Sequence, residues 1–333
     1  MLIRQLEGEF TMPATVTHAF FAKDVYDILP NDIQSLLDIN QCKMFGQSTD
    51  SLLFYNLFSI FPGKKIRSFQ RFFHSNQTQE FFINVLRYMK DNNINQVDAY
   101  SFLVGFICHY VLDSTLHPYI IYRSGVFDSK NPSTYRYNNQ HAIMESYIDN
   151  DMIKRREDKN PFSFPITNYC FSIHPFSPSL KDLIDYSFYN TFQIQYMSKI
   201  YYKSLIQMKN SIRIFRMDRY GIKKNIYKLA DTFTPRNWFL FEAISYHVPL
   251  SNSFDYLNLN HSLWRNPTTY SISSHESFVD LYLKSIKIAK VIICASFDYL
   301  NGKAIDLEQV FLNTSYVTGL DCNLNKKLKY FYF

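Results

Sequence analysis

The sequence predicts an all-α protein. Helix-type segments follow one another between proline and asparagine breaks, while strand-type alternation is scarce. Glycine totals only eight residues, with no glycine-rich phosphate loop and no internal repeat. At 333 residues, with 47% hydrophobic and 19% charged content, the chain can bury a sizeable core and is not of the disordered class.

Taken in order, Thr17 opens a helix to Leu29, which Pro30 ends, and Asn31 caps a second over Asp32–Met44. Gly46–Thr49 reads as a turn that delivers Asp50 to the start of an apolar helix, Leu52–Phe61. Pro62-Gly63-Lys64-Lys65 breaks that helix. Arg67–His74 reads as irregular or short helix, and Asn76–Asn92 as an amphipathic helix. A long apolar helix begins near Gln96 and is expected to halt near Pro118, since proline has no N–H to donate. Gly125–Asn139 is a polar loop, suited to a mobile rim, and Asn139–Lys154 a further helix.

Residues 157–178 carry Pro161, Pro165, Pro175 and Pro178 and form the Pro-rich connector. It separates a first half, 12–156, from a second, 179–333, that completes the same globular unit. Helices are expected there over Ser179–Met208, Ser211–Phe233, Pro235–His247 and Glu276–Leu300, with a long loop, Val248–Ser274, before the last.

Net charge is +6, which favours anionic partners such as phosphodiesters, membrane headgroups or nucleic acid and fixes none of them. Short basic runs such as Lys154-Arg-Arg156, Lys223-Lys224 and Lys326-Lys327 read as solvated faces. The abundant Tyr (26) and Phe (31) read as core filling from an AT-rich coding bias, in preference to a lipid-binding belt. Five scattered cysteines without a C-x-x-C pair suit reduced thiols in a cytoplasmic protein. The N-terminus has no signal-peptide pattern. Residues 1–11 read as a translated leader ahead of a native start at Met12, because Glu7–Thr11 can be encoded by a purine-rich ribosome-binding sequence. No membrane span is expected, because the longest apolar run, Phe102–Leu116, is interrupted by His109 and Asp113.

That run carries the main chemical signal. His109, Asp113 and His117 stand at i, i+4 and i+8, so on a helix they drift only about 80° around one face. The outer two lie roughly 12 Å apart along the axis, too far for one tetrahedral zinc but suited to two ions with the Asp113 carboxylate between them. A buried Asp between two His on an apolar helix needs its polarity met, and metal coordination does so. A hydrogen-bonded core pair is the plainer reading of any one such pair. A second pair, His141-Ala-Ile-Met-Glu145, and the upstream His18, Asp50 and His74 add to it. Nitrogen and oxygen ligands without paired Cys suit a hydrolytic zinc centre better than a structural one. His174, His247, His261 and His275 have no His or carboxylate at helix-face spacing and read as surface or hydrogen-bonded residues.

The series His18, Asp50, His74, His109, Asp113, His117, His141, Glu145 resembles the ligand series of the zinc-dependent phospholipase C family, in one superfamily with the single-strand-specific nucleases. Asp255-Tyr-Leu-Asn-Leu, Trp264-Arg-Asn-Pro267 and Tyr316-Val-Thr-Gly-Leu320 resemble tail segments of its intracellular bacterial branch. The resemblance implies a multi-helix bundle with a cluster of two or three Zn2+ ions at one end. It implies zinc-dependent hydrolysis of a phosphodiester, with phospholipid at a membrane surface preferred to nucleic acid. By the same resemblance Asp50, His74, His109 and Asp113 hold one ion, and His117, His141 and Glu145 another. His18 with bridging Asp113 contributes to a third, and Asp50 orients or deprotonates the attacking water.

The chain departs from the secreted members, whose N-terminal Trp chelates the third zinc. Here Met12-Pro13 lies close ahead of His18. Ser51 and Arg71 stand where phosphatidylcholine-specific members have aromatic residues, so Arg71 is expected to meet an anionic group of the substrate. Two other functions share these features: a nuclease or nucleotide phosphodiesterase on the same cluster, and a non-catalytic, metal-stabilised helical scaffold that binds a membrane or partner.

Overall fold

The computed structural model describes residues 14–332 apart from Ile60, Ser129, 234–240, 242–244, 247–253 and Asn325. The leader, Met12-Pro13, His247 and most of the helix expected over Pro235–His247 lie outside the described residues.

The fold is all-α. Its helices are α1 (Thr15–Ile28), α2 (Asn31–Gln34), α3 (Ile39–Phe45), α4 (Lys64–Phe73), α5 (Thr78–Asp91), α6 (Val97–Ser124), α7 (Gln140–Glu157) and α8 (Ile166–Cys170). There follow α9 (Pro178–Phe192), α10 (Met197–Phe215), α11 (Ile222–Thr232), α12 (Phe278–Leu300) and α13 (Leu307–Val310). A two-residue antiparallel pair, Trp264–Arg265 with Ser273–Ser274, is the one sheet among the described residues.

The bundle is organised around α6, which packs against α1, α3, α7 and α12. It is apolar on nearly every face because it has neighbours on nearly every side, and Phe102–Asp113 is buried throughout. By length and composition α6 could cross a membrane, but most of it is buried inside the bundle. One continuous core joins residues of both halves, from Val16 of α1 to Phe297 of α12. Burial of this area is the main driving force of the fold.

The long helix does not stop at Pro118; it runs on to Ser124. Pro118 removes the N–H that would bond the Ser114 carbonyl one turn earlier. Gly319, at φ +65°, packs against that carbonyl: a Cβ there would lie 2.6 Å from Ser114 O. The helix thus survives its proline where the C-terminal strap, Tyr316–Leu320, leans on it.

Other differences come from caps. The helix expected over Asp32–Met44 is two, because Asp38 accepts from Asn40 N and Gln41 N and starts α3 afresh. In place of Leu52–Phe61 there is a 3₁₀ segment, Ser48–Phe54, and the chain next turns helical at Lys64. The expected Ser179–Met208 helix breaks between Gln193 and Tyr196, both left-handed, and Asp185 caps the new start through Ser198 N and Oγ. The Ser211–Phe233 helix likewise divides: α10 ends at Phe215, and Asp218 accepts from Ile222 N and Lys223 N to open α11.

Candidate metal centre

Three side chains come from α6. Its i, i+4, i+8 spacing sets Asp113 Oδ2 3.0 Å from His109 Nε2 and 3.7 Å from His117 Nδ1, so Asp113 stands between two groups of ligand-type residues. α1 brings His18, whose Nε2 lies 3.3 Å from Asp113 Oδ1. The Ser48–Phe54 segment brings Asp50, and α4 ends on His74, with His74 Nε2 3.3 Å from Asp50 Oδ1. His141 and Glu145, one turn apart on α7, face His117: Glu145 Oε1 is 3.1 Å from His141 Nε2 and 3.6 Å from His117 Nε2.

Two constellations result. In the first, His18, Asp50, His109 and Asp113 each offer a ligand atom within 4.8 Å of the others; in the second, His117, His141 and Glu145 do the same. In the first constellation His18 stands with Asp50, His109 and Asp113, and His74 adjoins it through Asp50. The first group is buried, with side-chain exposures of 7% or less, whereas His117 and His141 are 13% and 14% exposed. The second group therefore forms the mouth. A small cleft spans both, lined by His18, Asp113, Leu116, His117, Glu145 and Phe278. A larger surface groove at Tyr55, Tyr196, Lys199 and Lys203 holds none of the ligand-type residues.

Backbone carbonyls set the tautomers. His109 Nδ1 lies 2.9 Å from Gly46 O, and His117 Nδ1 lies 3.1 Å from Tyr316 O. A carbonyl only accepts, so each Nδ1 donates, and in the neutral ring Nε2 keeps its lone pair for a cation. The approach of Gly46 to α6 depends on Gly105, one turn before His109, where a Cβ would fall 2.6 Å from the Phe45 backbone. Gln70 donates to Asp50 Oδ1 at 2.7 Å, and Thr49 Oγ1 lies 3.1 Å from His74 Nε2. The strap is tied to the same place: Tyr316 N donates to His74 O at 2.8 Å, and the Tyr316 ring lies 4.7 Å from that of His74.

These residues fit a metal. His109 Nε2, Asp113 Oδ2 and Glu145 Oε2 are buried without a hydrogen-bond partner among the described residues. His109 Nε2 and Asp113 Oδ2 face each other at 3.0 Å in a geometry that makes no hydrogen bond. A carboxylate oxygen so placed against an imidazole nitrogen needs a positive charge, either a proton on the ring or a metal ion in its place.

The electrostatics agree. Burial, aided by the His109 charge, pushes His18 down to about 3, and burial also holds His74 well below the usual range, so both are neutral. Burial pushes Asp50 up to about 6. Around Asp113 burial is outweighed by the charges of His109 and His117, which hold its carboxyl well below the usual range. Burial would lower His117, but Asp113 and Glu145 outweigh it and raise the imidazole to about 9. His109 is raised for the same reason, by Asp113 and Asp50 against burial. Glu145 is lowered by His141 and His117 despite its burial.

All eight ligand-type residues named from the sequence thus meet in one region. Arg71 is half-buried on α4 and does not line the cleft; the α4 side chain that reaches the centre is Gln70. Gln70 was legible in principle, since it stands four residues before His74 on a helix face. Ser51 is buried and donates to Ser48 O. His174, His261 and His275 are exposed, and the last two bond each other's carbonyls through Nδ1.

Neither a curated protein nor a solved structure matches the chain. The model of one family, zinc dependent phospholipase C, matches residues 17–207, from α1 into α10, and takes in all eight ligand-type positions. With more than half of its length so matched and two constellations of His and carboxylate ligands in place, the chain belongs to the zinc-dependent phospholipase C family.

Proposed function

We propose that the protein is a phosphodiester hydrolase of the phospholipase C type, acting on phospholipid with zinc at the two constellations. His18, Asp50, His109 and Asp113, with His74 beside them, would hold one ion and His117, His141 and Glu145 another. When bound, zinc supplies charge neutralisation for the phosphate oxygens, a lowered pKa for water and help for the leaving oxygen. The third ion expected at His18 depends on the Met12-Pro13 backbone, outside the described residues.

The chain's own groups divide the remaining work. Asp50 holds one carboxylate oxygen against Gln70 Nε2, which fixes the direction of the other. In this proposal Asp50 orients the attacking water and receives its proton. Gly46 and Tyr316 keep His109 and His117 in the Nδ1–H tautomer. Leu116 and Phe278 line the cleft with apolar surface and keep bulk water from the buried group. Arg71, which lies outside the cleft, is proposed to meet an anionic part of the substrate that extends beyond it, and Arg71→Phe with unchanged turnover of every phosphodiester would remove that role. The free thiols Cys42, Cys108, Cys170, Cys294 and Cys322 support a cytoplasmic location.

The observation that carries the reading is the set of buried ligand-type atoms at His109, Asp113 and Glu145 without a hydrogen-bond partner among the described residues, in two constellations beside one cleft. The test is zinc analysis joined to hydrolysis of an aryl phosphodiester. Wild type should bind zinc and turn the ester over. Asp50→Asn should lose turnover, and Asp113→Asn should lose both zinc and turnover. Zinc bound at full occupancy with no turnover of aryl, lipid or nucleic-acid phosphodiesters would favour the scaffold function instead.

A further inference from the structure

Helix α11 buries only one side chain, Tyr227, whose hydroxyl donates to Ile214 O at 2.6 Å. Its other large apolar residues face water. Ile222, Ile226 and Leu229 are 59%, 57% and 64% exposed, and Phe233 at the C-cap is 81% exposed. Steps of four, three and four residues put these four side chains on one stripe. Tyr220, at 79% exposure, extends it at the N-terminal end, and Ile214 at the end of α10 is 52% exposed. A contiguous exposed patch of this kind marks a contact surface.

Charge decides what it contacts. Residues 213–233 contain Arg213, Arg216, Arg219, Lys223, Lys224 and Lys228 against Asp218 and Asp231, a net +4 out of the +6 of the whole chain. Both acidic side chains already accept backbone N–H groups, Asp218 from Ile222 and Lys223, Asp231 from Phe241. A second copy docked stripe to stripe would bring two such cationic segments together, so self-association is disfavoured. An apolar stripe roughly 16 Å long beside a cationic segment matches an anionic bilayer: the stripe enters below the headgroups while Lys and Arg stems reach up to the phosphates.

We propose that α11 is an interfacial helix that docks the protein on an anionic phospholipid bilayer. The proposal stands on this surface and not on the zinc chemistry. Its test is therefore a binding measurement that needs no turnover. The full-length protein is sedimented with vesicles of phosphatidylcholine alone or mixed with phosphatidylglycerol, at low and high salt. Turnover of a soluble aryl phosphodiester and circular dichroism are recorded in parallel. Binding should require phosphatidylglycerol, weaken as salt rises, and fall by about tenfold or more in the double variant Ile226→Asn with Leu229→Asn. That variant should keep its fold and its soluble turnover, since both side chains are exposed and neither lines the cleft. Failure to bind phosphatidylglycerol vesicles, or equal binding by the double variant, would overturn the proposal. A concentration-dependent dimer abolished by the same substitutions would overturn it too, by assigning the stripe to a second copy.

Discussion

Asp149 on α7 accepts two hydrogen bonds from Thr17 through Oδ1, one from its backbone N at 2.8 Å and one from its hydroxyl at 2.7 Å. Asp149 Oδ2 accepts from Val16 N at 3.0 Å and from the Tyr246 hydroxyl at 3.1 Å. The carboxylate thus closes the N-terminus of α1 just before His18, from the helix that also carries His141 and Glu145. One residue ties the two metal groups' helices together.

Replacing it exposes that tie. Asp149→Asn turns one accepting oxygen into a donor that faces donors, with the Val16 and Thr17 amides buried around it. The expected loss is about 2–4 kcal/mol of stability. Thr17→Val, which removes only the hydroxyl bond, should cost about 1 kcal/mol. Denaturant melts of the metal-free proteins measure both; equal stabilities across the three would show that α1 is held some other way.

Gln70 acts on the site from behind. Its amide bonds Asp50 and lies 3.3 Å from His74 Nδ1, so Gln70→Leu frees the Asp50 carboxylate without removing a ligand. Turnover is expected to fall about 10- to 100-fold while zinc content at saturation is kept. Unchanged turnover in steady-state assays would mean that Asp50 is oriented without it.

The C-terminal strap lies beyond the 17–207 match yet touches both groups, through Tyr316 N on His74 O and Tyr316 O on His117 Nδ1. Gly319→Ala would drive a Cβ into the Ser114 carbonyl at a left-handed φ, at a cost of about 1–3 kcal/mol. The strap should shift, and zinc at the His117 group should then be stripped by a weak chelator before zinc at the buried group. Zinc retention equal to wild type in dialysis against graded chelator would contradict this.

Loading should be coupled to protons. Zinc needs a free Nε2, and Asp113 and Glu145 keep His117 protonated up to about 9 against the effect of burial. Zinc uptake at pH 7 should release at least one proton, and affinity should rise about tenfold per pH unit from this group until pH 9. The sign for stability follows from a raised imidazole value. In metal-free protein the His117 contribution is full below 6.5, its ordinary value, and is lost as pH rises through 9. Titration calorimetry in buffers of different ionisation enthalpy would detect the protons, and an uptake that releases none would refute the assignment.

Much of this was legible in sequence where side chains alone decide the matter. His109, Asp113 and His117 announce a helix face because four-residue spacing is local, and His141 with Glu145 does the same. Boundaries were less legible. Pro118 reads as a stop, but the carbonyl it strands at Ser114 meets Gly319, some 200 residues away, which no local window contains. The break before α10 depends on Asp185 reaching Ser198 across 13 residues. Hidden from sequence altogether were the Gly46 and Tyr316 carbonyls that set the His109 and His117 tautomers, because a backbone oxygen carries no residue signature. Assigning His18 to the first group also needed three dimensions, since its stacking on His109 at 4.4 Å comes from the packing of α1 on α6.

Diffraction from zinc-loaded crystals, recorded on either side of the zinc absorption edge, tests the centre most directly. The prediction is one anomalous peak among His18, Asp50, His109 and Asp113 and a second among His117, His141 and Glu145. Each should lie about 2.0–2.2 Å from its ligand atoms. Crystals in which zinc sits at neither group, with the His109 and Asp113 atoms met by water instead, would contradict it.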